Sequence, residues 1–361
     1  MQHKPVQHAL SSHFNLDPRR LEFIARFIIA LLKVRSVVLA LNQHLTGFGR
    51  NLNKIATALN GLADLESNSK RASRFLKFDF AQEVIAKFVL SFVTAEKLVL
   101  CMDRTNWKFG KTSINFLVIA IAYKKIALPI AWVNLEKDGN SNSMERKSIL
   151  ERVLKIIPAN RILGFAADRE FIGKAWFETL LLCGVNPVIR IKFDTMIQHR
   201  QKTAPAWAWF ESLKPGQVFE LSKARVMGIR VFVLGTLTPE GELLLLVTVK
   251  RPSRALSIYG QRWDIECLFG AFKSRGFNLE DTHVTNPRKS ERLFALLVLT
   301  LVWAVLVGEF VSSAQALKLK KHGSPGRSVF ARGLGVLGQI LLCGRSKNLV
   351  LDDVIPLLSG S

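Results

Sequence analysis

The part of the sequence that most restricts the fold is the stretch from Lys97 to Ile191, where short apolar runs alternate with helical patterns. Three apolar runs separated by turn residues come first, and they predict an antiparallel three-strand meander: Leu98–Cys101, Ile114–Ala122 and Ile126–Val133. A helix, a strand, a helix and a strand are then predicted at 143–156, 162–167, 174–183 and 187–191. This order predicts an α/β domain.

The segments on either side of this stretch have different patterns. The first ninety or so residues are helical in pattern, a strand-rich segment with several turns follows Asp194, and helices resume near Ser253. We therefore predict an N-terminal helical domain at 1–92, a core in two parts at 93–193 and 253–312, a β-strand insertion at 194–252 and a basic C-terminal region at 313–361. The basic C-terminal residues include Lys318, Lys320, Lys321, Arg327 and Arg332.

The net charge indicates the kind of partner. The chain has 51 Lys and Arg against 28 Asp and Glu, a formal net charge of +23. With 49% hydrophobic and 22% charged residues, it has the composition of a globular protein and not of a disordered polybasic chain. A folded body this basic is suited to an extended polyanion, which means nucleic acid or, less often, an anionic membrane surface. A basic surface kept only for solubility or for contact with ribosomes is the alternative.

The apolar segments and cysteines favour the cytoplasm. The uncharged run Leu293–Val307 has about 15 residues, short of the roughly 20 that span a bilayer, so we predict a buried helix and no membrane partner. The N-terminus lacks the apolar segment of a secretory signal, and the four cysteines form no CxxC pair. A mean hydropathy of +0.20 keeps a membrane location open as the alternative.

A candidate DNA-binding surface lies in the N-terminal region. Asp17 followed by Pro18 predicts the start of an amphipathic helix over Leu21–Leu41, and two shorter helices follow, the second beginning near Ser67. On that last helix, four cations fall on about one face: Lys70, Arg71, Arg74 and Lys77. Such a face predicts contact with DNA, and an ordinary solvated face is the alternative.

The predicted helix from Ser253 to Lys273 carries a second polar edge. At about 100° per residue, Arg262, Glu266 and Lys273 all fall within about 60° of Tyr259, whereas Ile265, Leu268 and Phe272 fall on the opposite side. We expect the apolar side to pack on a sheet and the polar edge to be exposed. Because Arg262 and Glu266 are four residues apart, a simple surface ion pair is the alternative.

Two further carboxylates follow apolar strands. Asp103 comes after the run LVLCM and Asp168 after LGFAA, so each is expected where a strand leaves the sheet. Together with Glu266 they form a set of three carboxylates with no His or Cys partner. Hard oxygen ligands of this kind suit Mg²⁺ or Mn²⁺, and two such ions can act on a phosphodiester.

These residues carry a family resemblance. The spacing Tyr259, two residues, Arg262, three residues, Glu266, six residues, Lys273 resembles the Y-R-E-K signature of the IS-four type of DDE transposases from bacterial insertion sequences. The strings MDRTNWKFG around Asp103 and ADREF around Asp168 are similar to that family's two acidic blocks, and the order of the core elements is that of an RNase H-like domain.

The resemblance implies a function and a role for each matching residue. The chain is expected to be a DNA transposase in which Asp103, Asp168 and Glu266 bind two Mg²⁺ or Mn²⁺ ions and Tyr259, Arg262 and Lys273 contact DNA phosphates. The N-terminal helices would recognise the terminal inverted repeats of double-stranded DNA, and a homodimer would hold two ends together in the bacterial cytoplasm. The alternatives are an inactive inverted-repeat DNA-binding protein and an RNase H-like nuclease without strand transfer.

Three tryptophans leave their role open. Trp207 and Trp209 lie in the predicted insertion, where some family members place an aromatic side chain that stacks on a flipped base, but packing within the insertion is the favoured interpretation. Trp263, next to Arg262, is expected either to border the DNA or to pack.

Overall fold

The structure is a computed structural model that describes residues 2–35, 53–59, 64–282, 284–314 and 326–360. Its helices are α1 His3–Ser11, α2 Pro18–Val34, α3 Asn53–Ala58, α4 Leu65–Phe75, α5 Gln82–Ser91, α6 Ser143–Leu154, α7 Lys174–Leu182, α8 Ala206–Trp209, α9 Ala255–Gly260, α10 Trp263–Phe272, α11 Pro287–Ala314, α12 Val329–Cys343, α13 Leu351–Val354 and α14 Pro356–Ser359. Its strands are β1 Leu98–Phe109, β2 Thr112–Tyr123, β3 Ile126–Asn134, β4 Ile162–Ala167, β5 Pro187–Arg190, β6 Met196–His199, β7 Lys202–Pro205, β8 Val218–Val226, β9 Ile229–Leu237 and β10 Leu243–Thr248. Short 3₁₀ helices lie at Ala159–Arg161, Arg169–Phe171, Pro252–Arg254 and Leu279–Thr282.

All ten strands join one mixed sheet in the order β3-β2-β1-β4-β5-β10-β9-β8-β6-β7. The first three strands form the antiparallel meander that the sequence predicts, and β4 and β5 then add to β1 in parallel. The strand-rich segment after Asp194 supplies β6 to β10, which continue the same sheet beyond β5. The protein is therefore a mixed α/β structure built on one large sheet.

Helices cover both faces of the sheet. On β4, Phe165 packs against Trp176 of α7, whereas the neighbouring Gly164 faces Ile258 of α9. Since successive residues of a strand point to opposite faces, α7 and α9 lie on opposite sides of β4. The second face is also covered by α10 and α11, where Phe294 of α11 packs on Phe116 of β2.

The long helix α11 connects the sheet to the N-terminal and C-terminal helices. It contacts β3 on one side and α2, α5, α12 and α14 on others, so the described helices of both ends share one hydrophobic core with the sheet. Within the described residues, Pro287–Ser313 is long and apolar enough to cross a membrane, and 78% of its apolar window is buried inside the protein. The prediction of a buried helix over Leu293–Val307 is thus confirmed.

Several predicted element bounds differ from the structure. The cap at Asp17 is confirmed, because its side chain accepts a hydrogen bond from the Arg19 amide, but α2 ends at Val34 and residues 36–41 lie outside the described residues. The helix predicted over 253–273 is interrupted between α9 and α10. Part of the predicted basic C-terminal region forms the half-buried helix α12, while Lys318, Lys320 and Lys321 lie outside the described residues. The proposed domain boundaries stay predictions.

The close crossing of α11 and α12 requires glycine at position 333 of α12. A Cβ at Gly333 would lie 1.8 Å from the Ala304 carbonyl oxygen, a distance that forces the two helices apart. We expect Gly333→Ala to lower the free energy of unfolding by about 1–3 kcal/mol, measured by urea denaturation. Gly335 lies on the same helix with no atom within 4 Å of a built Cβ, so Gly335→Ala should be neutral or raise stability by up to about 1 kcal/mol. Equal losses in both variants would contradict this explanation.

Candidate functional site

Asp103 and Asp168 lie side by side because β1 and β4 are parallel neighbours. The last pair of that ladder is Met102 with Ala167, and each aspartate is the next residue along its chain. The expectation that Asp103 ends its strand is wrong, since β1 continues to Phe109 in its hairpin with β2. What ends at Asp103 is the pairing with β4, because β4 stops at Ala167 and the chain turns away. The two carboxylates therefore share one edge of the sheet.

The close approach of α9 to β4 brings Tyr259 to this edge. Gly164 permits the approach, because a Cβ there would lie 2.9 Å from the Ile258 side chain. The Tyr259 hydroxyl donates a hydrogen bond to Asp168 Oδ1 at 3.4 Å. Burial raises the pKa of Tyr259, so the hydroxyl keeps the proton that it donates. The side chain is only 8% exposed, and the prediction that it lies on an exposed edge is wrong.

Arg262 bridges two of the three predicted carboxylates. One terminal nitrogen lies 3.5 Å from Asp103 Oδ2, and the other donates to Glu266 Oε1 at 2.6 Å. Only 12% of the arginine side chain is exposed, so this is not the simple surface ion pair that the spacing allows. Its Nε is buried with no hydrogen-bond partner in the described structure. At least one donor of the guanidinium is therefore unused.

Asp103 has a strongly shifted pKa. Burial raises the pKa of the Asp103 carboxyl to about 7, and the nearby Glu170 and Asp168 add to this rise. The Arg104 amide, which donates to Asp103 Oδ1 at 2.8 Å, and the Arg262 guanidinium act in the opposite direction. Since the two favourable partners do not compensate for burial, this arrangement leaves Asp103 short of positive charge.

Lys273 pairs with an acid outside the set of three predicted carboxylates. It is the C-terminal cap of α10, and its ammonium group lies 2.6 Å from Glu280 Oε1 and 3.3 Å from the Asn106 carbonyl oxygen. It also lies over the Trp107 ring at 5.8 Å. The structure thus brings Tyr259, Arg262 and Glu266 into one cluster with the two aspartates and keeps Lys273 beside that cluster in an ion pair of its own.

Asp264 was missed by reasoning from the sequence. It is only 8% exposed, and burial raises the pKa of its carboxyl to about 6 even though the backbone amides of Lys125 and Tyr123 donate hydrogen bonds to it. Those amides belong to the β2–β3 turn, so Asp264 joins α10 to that turn. The sequence pattern could have indicated a buried acid here, because Asp264 falls at about 140° from Tyr259, close to the apolar side of the helix. An acid on that side needs a specific partner.

The residues at this edge fit a divalent cation by donor type. Asp103, Asp168 and Glu266 supply only carboxylate oxygens, which are the ligands that Mg²⁺ and Mn²⁺ prefer. Within the described residues, no group of three or more acidic, His or Cys side chains is drawn together closely enough to hold an ion. In this arrangement the Arg262 guanidinium contacts both Asp103 and Glu266 and supplies the positive charge between these two carboxylates.

The remaining predicted residues lie away from this cluster. The four basic side chains of α4 and its C-terminal turn are exposed, and Lys70 pairs with Glu66 at 2.6 Å. Trp209 packs in the strand-rich segment and donates from Nε1 to the Ala204 carbonyl oxygen at 3.3 Å, whereas Trp207 is 47% and Trp263 58% exposed. None of these facts tests a role in DNA binding, which stays a prediction.

The raised pKa of Asp103 leads to a stability prediction. Its pKa is about 7 in the folded protein against about 3.9 in an unfolded chain, so ionisation of the unfolded state lowers stability as the pH rises through this interval. Below about pH 4 the carboxyl is protonated in both states and contributes nothing. In chelator-treated protein, Asp103→Asn should therefore raise the free energy of unfolding by on the order of 2 kcal/mol at about pH 8 and have little effect at about pH 4.

The control for that measurement is an aspartate shifted in the opposite direction. The hydrogen bond from Ser113, and then that from Lys108, lower the pKa of Asp138, so Asp138→Asn should give no gain at about pH 8. Denaturant unfolding followed by circular dichroism at both pH values measures the difference. A gain from Asp103→Asn that is larger at the lower pH would contradict the assignment.

Comparisons with known proteins identify the family of the chain. The family model of the transposase DDE domain matches residues 94–303, which contain every strand that the structure describes and the three predicted carboxylates. Among solved structures, the chain is similar to a piggyBac transposase in a synaptic complex with hairpin DNA, at 11% sequence identity and a TM-score of 0.41, over 99% of this chain and 81% of that one. No curated protein matches the chain. Because the family model matches more than half of its length, the chain belongs to the transposase DDE domain family.

Proposed function

We propose that the protein is a DNA transposase of the IS-four type that cuts and rejoins the ends of an insertion sequence with the help of divalent metal ions. The observation that carries the proposal is the Arg262 bridge from Glu266 to Asp103, beside the hydrogen bond from Tyr259 to Asp168. Five residues taken from three separate sequence motifs therefore converge at one edge of the sheet.

The sheet supports an RNase H-like core for this function. Its first five strands have the order β3-β2-β1-β4-β5, with β2 antiparallel to β1, and β4 and β5 parallel to it. In this proposal, the segment 194–252 is an insertion within that core, and it separates Asp168 from the helix that carries Glu266. The core would then bring together three acids: Asp103 on β1, Asp168 directly after β4, and Glu266 on α10.

The three carboxylates would hold the metal ions, and Arg262 and Lys273, at the two ends of α10, would hold the DNA. Bound Mg²⁺ or Mn²⁺ would help to activate the attacking oxygen and to stabilise the leaving oxygen at a phosphodiester. Arg262 has a buried Nε without a partner, and a DNA phosphate would supply the acceptor that it lacks. Lys273 would exchange Glu280 for a phosphate when DNA binds.

The proposed reaction uses two nucleophiles in succession. Water attacks the phosphorus at the end of the element, the bond to the 3′ oxygen breaks, and that oxygen leaves as a 3′ hydroxyl. The 3′ hydroxyl then attacks a phosphorus of the target DNA, and a target 3′ oxygen leaves in its place. We further propose that the exposed basic side chains of α4 and Lys77 bind the inverted repeats and that a homodimer acts in the bacterial cytoplasm.

Glu266→Gln tests the metal-dependent reaction. The amide keeps the shape of the side chain but removes its charge, so Mg²⁺-dependent cleavage should fall at least about 100-fold while DNA binding is retained. The substrate is a plasmid that carries the coding region with its native flanking DNA, and cleavage at the element's ends is followed on gels. Glu178→Gln, which changes an exposed acid on α7 across the sheet, is the control and should cut normally.

The outcomes of this experiment separate the alternatives. Normal cleavage by Glu266→Gln would refute the assignment of the carboxylates. End binding without cleavage by the wild-type protein would identify an inactive DNA-binding protein. If the protein cuts uncleaved ends but never joins precleaved ends with free 3′ hydroxyls to target DNA, it is a nuclease without strand transfer.

The salt dependence of DNA binding tests the role of Lys273. If its ammonium group contacts a phosphate in the complex, Lys273→Gln should weaken binding and lower the slope of log K against log salt by about 1. Lys147→Gln is the matched control, because that lysine pairs with Glu151 on α6, on the face of the sheet opposite α10. Fluorescence anisotropy with the same duplex at several salt concentrations gives both slopes. An unchanged slope for Lys273→Gln would remove this residue from the proposed interface.

A further inference from the structure

Arg104, the residue after Asp103, has a guanidinium whose five N–H donors are all used. Its Nε and one terminal nitrogen donate to the two carboxylate oxygens of Glu170, at 2.7 and 2.9 Å. The same terminal nitrogen donates to Asn140 Oδ1 at 2.8 Å, and the other donates to the Gly139 carbonyl at 2.6 Å and to Asn115 Oδ1 at 3.1 Å. Five donors are the full capacity of an arginine. Arg104 therefore has no donor left for a DNA phosphate.

The ion pair between Arg104 and Glu170 joins the segments that carry two of the proposed ligands. Arg104 follows Asp103 on β1, and Glu170 lies two residues after Asp168 in the short 3₁₀ helix beyond β4. Each aspartate also accepts a hydrogen bond from the amide of the next residue, Arg104 or Arg169, at 2.8 Å. The pair is largely covered, with 12% of the arginine and 26% of the glutamate side chain exposed. It thus links the two segments beyond the point where β1 and β4 stop pairing.

A second arginine, Arg146, holds the segment that carries Glu170. Arg146 of α6, which is 5% exposed, donates to the Glu170 carbonyl at 3.1 Å and to the Ser141 carbonyl at 2.6 Å. Its guanidinium also lies 5.1 Å from the centre of the Phe171 ring. Because Asn115 donates to the Gly139 carbonyl at 2.9 Å, the loop that receives Arg104 is itself fixed to β2. Neither end of the ion pair is free to move.

Two neighbouring carboxylates need such a restraint because they repel each other. The β1–β4 ladder fixes the backbone only as far as Met102 and Ala167, and beyond it the segments carrying Asp103 and Asp168 would separate under this repulsion. The positive charge of Arg104 is matched by Glu170, so the link adds a geometric constraint without neutralising Asp103. Residues that contact the metal ligands but not the metal itself commonly fix the positions of those ligands.

We propose that Arg104 and Glu170 are positioning residues whose two-point ion pair sets the separation of Asp103 and Asp168, and through it the affinity of the site for divalent cations. This inference rests on the proposed metal-dependent function. It concerns residues that contact neither the DNA nor the reacting atoms.

Arg104→Lys is the main test, because lysine keeps the charge but cannot make the two-point contact with Glu170. We expect its affinity for Mn²⁺, measured by electron paramagnetic resonance of free Mn²⁺, to fall about 10–100-fold. The kcat of DNA cleavage should fall with it at a fixed metal concentration and recover as Mn²⁺ is raised, while the affinity for DNA is unchanged. Lys108→Ala is the control: Lys108 lies on the same strand as Arg104, and the change breaks only its exposed ion pair with Asp138, so none of these values should change.

Glu170→Gln and the double variant complete the experiment. If the pair acts as a unit, the double variant should lose no more Mn²⁺ affinity than either single variant, whereas additive losses would overturn the inference. A variant with a lower melting temperature but unchanged Mn²⁺ affinity would assign the pair to stability alone and would also overturn it. If the wild-type protein itself binds no Mn²⁺, the proposed function fails. Wild-type binding with unaffected variants refutes only the positioning role.

Discussion

The site depends on the parallel pairing of β1 with β4, which ends at Met102 and Ala167. This one register places two carboxylates on adjacent strands, and every other group at the site compensates for that placement. Burial raises the pKa of the Asp103 carboxyl to about 7, and repulsion from the nearby Glu170 and Asp168 adds to this rise. A fold selected only for stability has no use for such a pair. The surrounding contacts are best understood as a response to it.

Two arginines offset the repulsion between the carboxylates in different ways. Arg262, at the N-terminal end of α10, contacts Asp103 and Glu266 and supplies charge directly to these carboxylates, but its buried Nε has no partner within the described structure. Arg104 is saturated by Glu170 and the loop before α6, so it fixes positions and supplies little charge to Asp103. A guanidinium with an unused donor can exchange partners at low cost, whereas one with five hydrogen bonds cannot. The site therefore combines one adaptable cation with one fixed cation.

The sequence predicts which residues form this site better than it predicts their environment. The spacing on the helix and the apolar runs before Asp103 and Asp168 correctly indicate the elements that carry the acids. Local patterns could not reveal that β1 continues past Asp103, because the continuation depends on pairing with β2. They also could not reveal that Tyr259 is buried, since its cover comes from the approach of α9 to β4 at Gly164. Glu170 and Asp264 were missed for the same reason, because their partners are distant in sequence.

The net charge of +23 has a different meaning once the site is described. Within the part of the chain that the structure describes, the carboxylates of Asp103, Asp168, Glu170 and Glu266 are in direct contact with only two guanidinium groups, those of Arg104 and Arg262. The basic excess thus lies elsewhere on the molecule, and it attracts a polyanion without neutralising the acidic centre. A phosphate brought to this edge would add more negative charge to a cluster that already lacks positive charge. A cation bound between the carboxylates would balance the negative charge of the carboxylates and that of the phosphate at once, because it attracts both.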